Sequence, residues 1–379
     1  MVGLSDPVSF KCTCKAQELG GSILLFYRYF AAPPTLPQGR VNEVQELFDF
    51  QQSLCTRLQL TGKIRIASEG FNVTVGGTRD EIASYIEECV QHWSFAGLRL
   101  DTVEERNTFF KPSSDGCSCA FEKLSIKMAS EITPLGITNY TPKEWGVVQS
   151  LTPAEFHEKC WERGEKRLVD VRNHYESRIG YFVDPVSGEK AIRPEVRRFS
   201  QFPQYVKTHF VKEIEELQRP ANLLTYCTGG IRCEKSVRWM AERLQPRDGQ
   251  VVCTLKGGIA AYLTWMDEEI RSGRKTSVES LFKGRNYVFD GRGSTGLSSG
   301  EMAPVSTCIT CSTPSDRLGK CSSKGCHLVL VVCEQCERKH PPKCCESCGE
   351  LDTVSGNTRR AMCSCEQARE ARLRAGAKG

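Results

Sequence analysis

The chain has 379 residues, of which 39% are hydrophobic and 26% charged, and its formal net charge is +5. This length exceeds what one hydrophobic core usually organises, so we expect two domains and an appendage. No apolar run approaches the length of a membrane span, and residues 1–7 lack the basic and apolar regions of a signal peptide, which predicts a cytoplasmic protein without a membrane partner. The mild positive charge permits nucleic-acid binding but does not establish it.

The first third of the chain alternates strand-like and helix-like segments. Strands are predicted at 22–30, on both sides of a Ser-Glu-Gly turn within 63–76, and at 121–128. Apolar residues at helical spacing predict helices at 41–58 and 78–93. The order strand, helix, strand, strand, helix, strand is that of a ferredoxin-like α+β domain, which we place at residues 20–136.

A second pattern of alternating strands and helices follows, and it predicts an α/β domain at residues 145–290. Thr152, Pro153 and Glu155 have the spacing of a helix N-terminus with a capping box. Strands are then predicted at 167–171, 223–226 and 251–255, and helices at 209–217, 234–244 and 259–270. Such alternation indicates a parallel sheet flanked by helices, with ligands at the carboxyl ends of its strands.

Cys227 lies at one of these strand ends, in the segment Cys-Thr-Gly-Gly-Ile-Arg-Cys. Gly229 and Gly230 permit positive φ and close backbone approach, so several N–H groups can point to one spot above the next helix. The helix end and Arg232 favour negative charge there, which should lower the pKa of Cys227 and make it a nucleophilic thiolate. The candidate active site is therefore the catalytic Cys227 with the loop Thr228, Gly229, Gly230, Ile231, Arg232 and Cys233.

Two neighbouring features of this loop have more than one interpretation. Cys233 fits either a resolving thiol that could pair with Cys227 or a core residue of the following helix. Asp170 and Arg172 follow a predicted strand, and we expect them to form a structural ion pair with the loop.

The spacing within the loop differs from that of the cysteine phosphatases. Arg232 follows Cys227 by five positions and Tyr226 precedes the cysteine, whereas cysteine phosphatases place the arginine six positions later and usually have a histidine before the cysteine. The loop resembles that of the rhodaneses, and this resemblance implies persulfide-type sulfur chemistry over phosphate ester hydrolysis. The segments 168–176 and 255–259 are similar to rhodanese strands and their following turns.

Further segments are similar to one rhodanese subgroup, the rhodanese-domain tRNA wobble-uridine hydroxylases with their eukaryotic rhodanese-like relatives that carry a cysteine-rich tail. The matching strings are CTGGIRCEK at 227–235, GKIRIASEGFN at 62–72, FEKLSIK at 121–127 and FKGRNYVFD at 282–290. The resemblance covers roughly residues 20–290. It implies a ferredoxin-like domain followed by a rhodanese-like parallel α/β domain. It also implies hydroxylation of the wobble uridine at C5, with molecular oxygen as co-substrate.

The partner implied by this resemblance is the tRNA anticodon loop, in which a single-stranded base can be splayed into a pocket. Basic side chains on predicted strands could line a groove for phosphates, although lysines on a strand face are also common as solvated edges. The candidate tRNA contacts are Lys63, Arg65, Lys123, Lys127, Arg193, Arg197 and Arg198.

The cysteines predict metal binding near the end of the chain, because 11 of the 21 lie between Cys308 and Cys365. Four pairs could form two tetrahedral structural zinc sites: Cys308, Cys311, Cys321, Cys326, Cys333, Cys336, Cys345 and Cys348, with Cys344, His327 and His340 as substitutes. Metal binding would supply the folding energy of the segment 307–350, which is too small and polar for a core of its own. Gly- and Ser-rich residues 291–306 are predicted as a linker, and residues 351–379 as a basic tail that is a short helix or disordered.

Four other cysteines form two Cys-x-Cys pairs, Cys12 with Cys14 and Cys117 with Cys119. We interpret them as ordinary thiols in preference to a metal or redox site. Three functions remain open from the sequence: a tRNA uridine hydroxylase, a sulfurtransferase that carries a persulfide on Cys227, and a docking module that binds a protein partner through its zinc tail.

Overall fold

The computed structural model describes residues 12–36, 44–113, 115–137, 139–215, 221–244, 250–298, 302–351 and 361–375. Parts of several predictions lie outside these residues. They are the helix start at 41–43, the helix end at 216–217, residues 299–301 of the linker, and residues 352–360 and 376–379 of the tail. Among the described residues, no helix combines the length and the apolar character needed to span a bilayer.

The N-terminal domain packs helices on one face of a four-stranded sheet. Its elements are α1 (Ala16–Leu19), β1 (Gly21–Tyr29), α2 (Val44–Arg57), β2 (Thr61–Ala67), β3 (Gly70–Thr78), α3 (Arg79–Gln91), α4 (Val103–Phe110) and β4 (Leu124–Met128). The predicted order of strands and helices is confirmed, and α4 is an addition to it. Alternation along the strands sends Phe26, Ile64 and Val73 into the core, where they are buried with Leu47 and Leu54 of α2.

The sheet has the strand order β1-β3-β2-β4, and this placement of β4 was not indicated by the sequence. β1 and β2 run antiparallel to β3, whereas β4 runs parallel to β2 at the edge of the sheet. The added helix α4 explains the parallel pairing, because it introduces one more reversal of chain direction between β3 and β4. The free edge of β1 is covered by Ser113, whose Oγ accepts a hydrogen bond from the Ile23 N–H at 2.8 Å.

The second domain contains a parallel sheet, as predicted. Its strand order is β5-β9-β8-β6, and the edge strand β5 was not predicted. Its strands and helices begin with β5 (Gln149–Leu151), α5 (Pro153–Trp161), β6 (Lys166–Asp170), β7 (Gly180–Phe182), α6 (Phe202–Tyr205) and α7 (Val211–Glu215). A π-helical turn at Val206–Phe210 joins α6 to α7, so this helical segment begins earlier than predicted. The remaining elements are β8 (Asn222–Tyr226), α8 (Ile231–Leu244), β9 (Val252–Leu255), α9 (Gly258–Arg271), β10 (Phe282–Gly284), β11 (Asn286–Tyr287) and β12 (Ser294–Thr295).

Part of the segment predicted as a linker is structured. β12 pairs with β11, and Leu297 is buried in the core of the second domain. The cysteine-rich segment that follows contains β13 (Leu318–Lys320), β14 (Val329–Val331), α10 (Glu334–Lys339) and α11 (Glu346–Glu350). The described part of the basic tail is a helix, α12 (Ser364–Ala375), and the carbonyl oxygen of its buried Leu373 accepts a hydrogen bond from Thr208 Oγ1 at 2.9 Å.

The two domains meet along the beginning of α8. Lys235, which is 1% exposed, places its Nζ 2.8 Å from Glu69 Oε2 and 2.7 Å from Glu131 Oε2. Tyr29 of β1 donates a hydrogen bond from its hydroxyl to the carbonyl oxygen of Ile231 at 3.3 Å. A buried lysine tolerates its loss of hydration only when such carboxylates compensate it, so this contact fixes how the domains sit together beside Cys227.

Candidate active site

The cysteine loop connects β8 directly to the N-terminus of α8. Cys227 follows the last residue of β8, and its Sγ accepts a hydrogen bond from the Gly230 N–H at 3.2 Å. α8 begins at Ile231, slightly earlier than predicted, so the loop is shorter and its helix end lies closer to the thiol.

Only one of the two loop glycines has the predicted positive φ. Gly230 adopts φ 97°, whereas Gly229 is not among the residues with positive φ, so that part of the prediction is wrong. Gly229 has a different reason to lack a side chain, because a Cβ there would lie 2.9 Å from Leu25 Cδ2 of the N-terminal domain. Both glycines therefore permit the close approach of β1 to the loop.

The surroundings of Cys227 favour its thiolate. Cys227 and Cys233 are both 0% exposed. Burial raises the pKa of Cys227, but the hydrogen bond with Cys233, the charge of Arg232 and backbone N–H groups together lower it to about 6. Burial and the neighbouring Cys227 charge raise the pKa of Cys233 well above its usual range. These surroundings favour the thiolate at Cys227 and the neutral thiol at Cys233.

Arg232 is held by a buried carboxylate. Its Nη1 and Nη2 donate to the two oxygens of Glu176 at 2.6 and 2.7 Å, and Nη2 also donates to Thr228 Oγ1 at 2.9 Å. Glu176 is 0% exposed, so the pair is shielded from water. This bidentate arrangement fixes the guanidinium beside the thiolate and makes Glu176 a positioning residue.

The expected ion pair between the loop and the preceding strand end is wrong. Asp170 and Arg172 pair with each other, with Arg172 Nη2 2.6 Å from Asp170 Oδ2, and Arg172 Nη2 also donates to the Gly180 carbonyl oxygen at 2.6 Å. Both side chains are fully buried. Asp170 is thus engaged by Arg172, whereas Glu176 is the carboxylate that contacts the loop.

The N-terminal domain covers the loop with two residues that the sequence analysis missed. Tyr27 donates a hydrogen bond from its hydroxyl to Glu234 Oε1 at 3.2 Å, and that hydroxyl oxygen would lie 2.7 Å from a Cβ built on Gly230. Lys111 Nζ lies 5.1 Å from the centroid of the Tyr27 ring. Burial lowers the pKa of Lys111 to about 8, although the charges of Glu234 and Cys227 act in the opposite direction. The charge of Cys227 therefore interacts with two cations, Arg232 of its own domain and Lys111 of the other.

The only sequence signal for Tyr27 was the alternation along β1. That alternation places Leu25, Tyr27 and Tyr29 on the face opposite the helices. Lys111 gave no signal, since it lies at the C-cap of the unpredicted α4.

Three of the predicted tRNA contacts share this face of the sheet. The strand registers place Tyr27 opposite Asn72, Asn72 opposite Arg65, and Arg65 opposite Lys127. Lys63 lies two residues from Arg65 and so points to the same side. Lys63 and Lys127 are exposed and Arg65 is half-buried. The residues Lys63, Arg65 and Lys127 are called the basic face below. Exposed Lys123 precedes β4 by one residue.

The arginines predicted in the second domain have different surroundings. Arg193 is exposed, with its guanidinium 4.4 Å from the centroid of the Tyr181 ring, and Arg198 is exposed as well. Arg197 is half-buried, pairs with Glu366 of α12 at 3.0 Å and donates to the carbonyl oxygen of Cys326. Arg197 therefore connects the second domain to the cysteine-rich segment and α12.

The cysteines near the end of the chain form three sets of four, within each of which all Sγ atoms lie within 4.8 Å of one another. The sets are Cys308, Cys311, Cys333 and Cys336; Cys321, Cys326, Cys344 and Cys348; and Cys344, Cys345, Cys363 and Cys365. All eight predicted ligands belong to these sets. Cys344 joins two of them, Cys363 and Cys365 are additional members, and His327 and His340 are not members among the described residues.

The spacing within these sets fits a tetrahedral metal site. Four thiolates at about 2.3 Å from one metal ion would lie about 3.8 Å apart. The Sγ atoms are separated by 3.7 Å for Cys311 and Cys333, 3.6 Å for Cys321 and Cys348, and 3.8 Å for Cys326 and Cys344. The donor sets are therefore compatible with metal ions that prefer four sulfur ligands.

Cys227 lies at the carboxyl end of a central parallel strand, and its thiolate is stabilised at the start of the following helix. This arrangement places the protein in the class of rhodanese-type thiol proteins. Family models agree with this class. Residues 283–349 match the model described as Rhodanase C-terminal, and residues 21–132 match the UPF0176 acylphosphatase like domain.

Relatives define the family more closely. The chain is 33% identical over 295 residues to the tRNA uridine(34) hydroxylase of Cytophaga hutchinsonii, covering 78% of this chain and 81% of that protein. It is 30% identical over 329 residues to the tRNA uridine(34) hydroxylase of Bacillus cytotoxicus, covering 86% and 87%. The chain belongs to this rhodanese-domain tRNA uridine(34) hydroxylase family, which confirms the resemblance found in the sequence.

A plant relative is longer. Rhodanese-like domain-containing protein 6 of Arabidopsis thaliana is 30% identical over 337 residues, which cover 86% of this chain and 52% of that protein. The chain thus spans about half the length of this relative.

Proposed function

We propose that the protein hydroxylates the wobble uridine of tRNA at C5, with molecular oxygen as co-substrate and Cys227 as the catalytic residue. The observation that carries this proposal is the buried Cys227 thiol, which accepts a hydrogen bond from the Gly230 N–H at 3.2 Å, in a chain whose bacterial relatives are named tRNA uridine(34) hydroxylases. A thiolate is the nucleophilic form of cysteine, and it would be the main form at neutral pH.

The substrate base would reach the thiolate between the two domains. Leu25 and Tyr27 of β1 lie directly against the loop glycines, and Cys227 is 0% exposed. A splayed uracil therefore requires β1 to move away from the loop, and the Tyr27 ring then offers an aromatic surface for stacking. Domain separation on tRNA binding is part of the proposal.

The basic face supports the choice of tRNA as partner. It continues outward from Tyr27 along one row of the sheet and presents Lys63, Arg65 and Lys127 on the same side. Lysine and arginine side chains are the usual contacts of nucleic-acid phosphates, so these cations could bind phosphates that flank a base held at Tyr27. Anticodon-loop phosphates would thus bind β2 and β4 while the wobble base enters the active site.

Cys233 gives the reaction a source of electrons. Insertion of one oxygen atom of O2 into the C5–H bond leaves the other atom to become water, which consumes two electrons and two protons. Conversion of Cys227 and Cys233 to a disulfide releases two electrons; Cys233 gives one proton and solvent gives the other. The mutual influence of the two buried thiols, which lowers the pKa of Cys227 and raises that of Cys233, supports this role, and a small thiol reductant would then restore the pair.

Sulfur transfer is the second candidate function. The Gly230 N–H that donates to Cys227 Sγ could equally stabilise a persulfide on that residue. A persulfide would make the protein a donor of sulfur to tRNA or to a protein, and it would use the same cysteine and loop.

We propose that zinc occupies the three cysteine sets between Cys308 and Cys365. Zinc prefers tetrahedral thiolate ligands, and the Sγ spacing fits that geometry. Because Cys344 belongs to two sets, it would bridge two zinc ions that share seven cysteines. Zinc would hold this segment, and through it α12, in a fixed fold. A protein partner for this tail remains a prediction.

The cellular setting follows from the chemistry. We propose a cytoplasmic protein, because all 21 cysteines are free, which suits a reducing compartment.

Accurate-mass analysis of nucleosides from bulk tRNA tests the proposal. It compares cells that lack the protein with cells given wild type, Cys227→Ala or Cys55→Ala, the last a control that removes a buried cysteine far from the loop. We expect a hydroxylated wobble uridine with wild type and Cys55→Ala only. Hydroxylation of uridine and replacement of one of its oxygen atoms by sulfur raise its mass by the same nominal amount. Accurate mass distinguishes the two products and therefore the two functions. A thiolated product would favour sulfur transfer, and hydroxylation by Cys227→Ala would overturn both.

A further inference from the structure

Four thiols also converge in the N-terminal domain, far from the cysteine-rich segment. They are Cys12, Cys14, Cys117 and Cys119, and all four Sγ atoms lie within 4.8 Å of one another. Cys12 Sγ lies 3.5 Å from Cys14 Sγ and 3.4 Å from Cys117 Sγ. The sequence interpretation as ordinary thiols did not anticipate this contact, since the two pairs are about one hundred residues apart.

The arrangement differs from that of ordinary buried cysteines in the same domain. Cys55 and Cys89 lie within the main hydrophobic core of this domain, among apolar side chains. At the N-terminal set, four sulfur atoms instead face one point, at separations far longer than the roughly 2.05 Å of a disulfide. They are close to the roughly 3.8 Å expected between thiolates of one tetrahedral metal site.

We propose that Cys12, Cys14, Cys117 and Cys119 form an additional structural zinc site. Four cysteine ligands close the coordination sphere, so this site has no open position for a substrate. Zinc fits better than the hard cations, which prefer oxygen ligands. Each Cys-x-Cys pair supplies two ligands, and the metal ion joins the chain ahead of β1 to the turn ahead of β4.

The location explains what such a site would do. The turn from Cys117 to Ala120 contacts the second domain, because the Ala120 carbonyl oxygen accepts a hydrogen bond from the Gly291 N–H at 2.6 Å. Two residues earlier in the chain, Phe289 has its ring centroid 5.9 Å from the Arg232 guanidinium. The zinc ion would therefore hold the turn against the segment that borders the active-site arginine.

Metal analysis of the purified full-length protein tests this site. Zinc per chain would be measured by plasma mass spectrometry for wild type and for the double variants Cys12→Ser/Cys14→Ser and Cys117→Ser/Cys119→Ser. We expect each double variant to lose one equivalent of zinc relative to wild type. Ser118→Ala, in the same turn, and Cys55→Ala, a core thiol, should retain the wild-type content. Unchanged zinc in both double variants would overturn the proposal.

A second measurement on wild type does not depend on how the variants fold. N-ethylmaleimide labelling would be followed at the peptides that contain the four cysteines, before and after addition of a zinc chelator. We expect labelling to be slow at first and to increase together at all four after chelation. Equal labelling before and after, or an intact mass that shows a disulfide, would refute a metal site. Neither readout depends on tRNA modification, so this proposal and the hydroxylase proposal can fail separately.

Discussion

Replacement of Cys233 by alanine should raise the pKa of Cys227. Burial raises this pKa, and the hydrogen bond with Cys233 is the largest of the effects that lower it. A hydrogen bond to a charged group contributes about 1.5–3 kcal/mol, which corresponds to about one to two pKa units. The pKa should therefore move from about 6 to between about 7 and about 8. At pH 7 the thiolate fraction would fall from about nine-tenths to between about a half and a tenth.

Cys233→Ser is the matched control, because its hydroxyl still donates a hydrogen bond but cannot form a disulfide. The pKa of Cys227 in this variant should stay near that of wild type. If the thiol pair supplies the electrons, the variant should not hydroxylate uridine without an added reductant. The assay is the initial rate of Cys227 alkylation by iodoacetamide across a pH series, quantified on the Cys227 peptide. The thiolate is present above the pKa and lost as the pH falls through it, so the midpoint reports the pKa. An alanine variant with the wild-type midpoint would refute the hydrogen-bond argument.

Three further predictions concern the ion pair, the loop and the basic face. Glu176→Gln leaves the Arg232 charge buried without its partner and should lower the free energy of unfolding in urea by about 3–5 kcal/mol. Glu165→Gln, at an exposed ion pair, should lower it by less than about 1 kcal/mol, and equal losses would contradict the role of Glu176. Gly230→Ala should abolish tRNA modification because φ is 97° and its Cβ would lie 2.7 Å from Tyr27 Oη. Gly273→Ala, with φ 73° and open space, should remain active, and an active Gly230→Ala would disprove the loop geometry. A triple variant with glutamine at Lys63, Arg65 and Lys127 should bind tRNA more weakly in filter binding. The slope of the logarithm of the binding constant against the logarithm of the salt concentration should become shallower by about 0.7 per lost phosphate contact. An unchanged slope would exclude these contacts.

Local sequence patterns predicted the elements that depend on neighbouring residues. The capping box of Thr152 and Glu155 does start α5. Apolar segments located the four strands of the first sheet and three of the four strands of the second, in which β5 was missed. The Cys227 loop was recognisable for the same reason, because the thiol, the glycines and Arg232 lie within six consecutive positions. Chemistry contained in one short segment can be inferred from that segment.

Features that depend on packing between distant segments could not be predicted. Tyr27 reaches the loop only because the domains meet along α8, and no periodicity in β1 encodes its partner. Cys344 and Cys345 are adjacent, so spacing alone does not show that Cys344 belongs to two sets. The parallel pairing of β4 likewise depends on α4, which the sequence pattern did not indicate.

The contact between β1 and the loop also bears on how long Cys227 would survive in the presence of oxidants. A thiolate of low pKa is the form that peroxides convert to sulfenic acid and then to irreversible sulfinic and sulfonic acids. Cys227 is 0% exposed, so the closed arrangement shields its sulfur from oxidants. If β1 moves away from the loop on tRNA binding, as proposed, exposure of the sulfur would coincide with the presence of a uridine to modify.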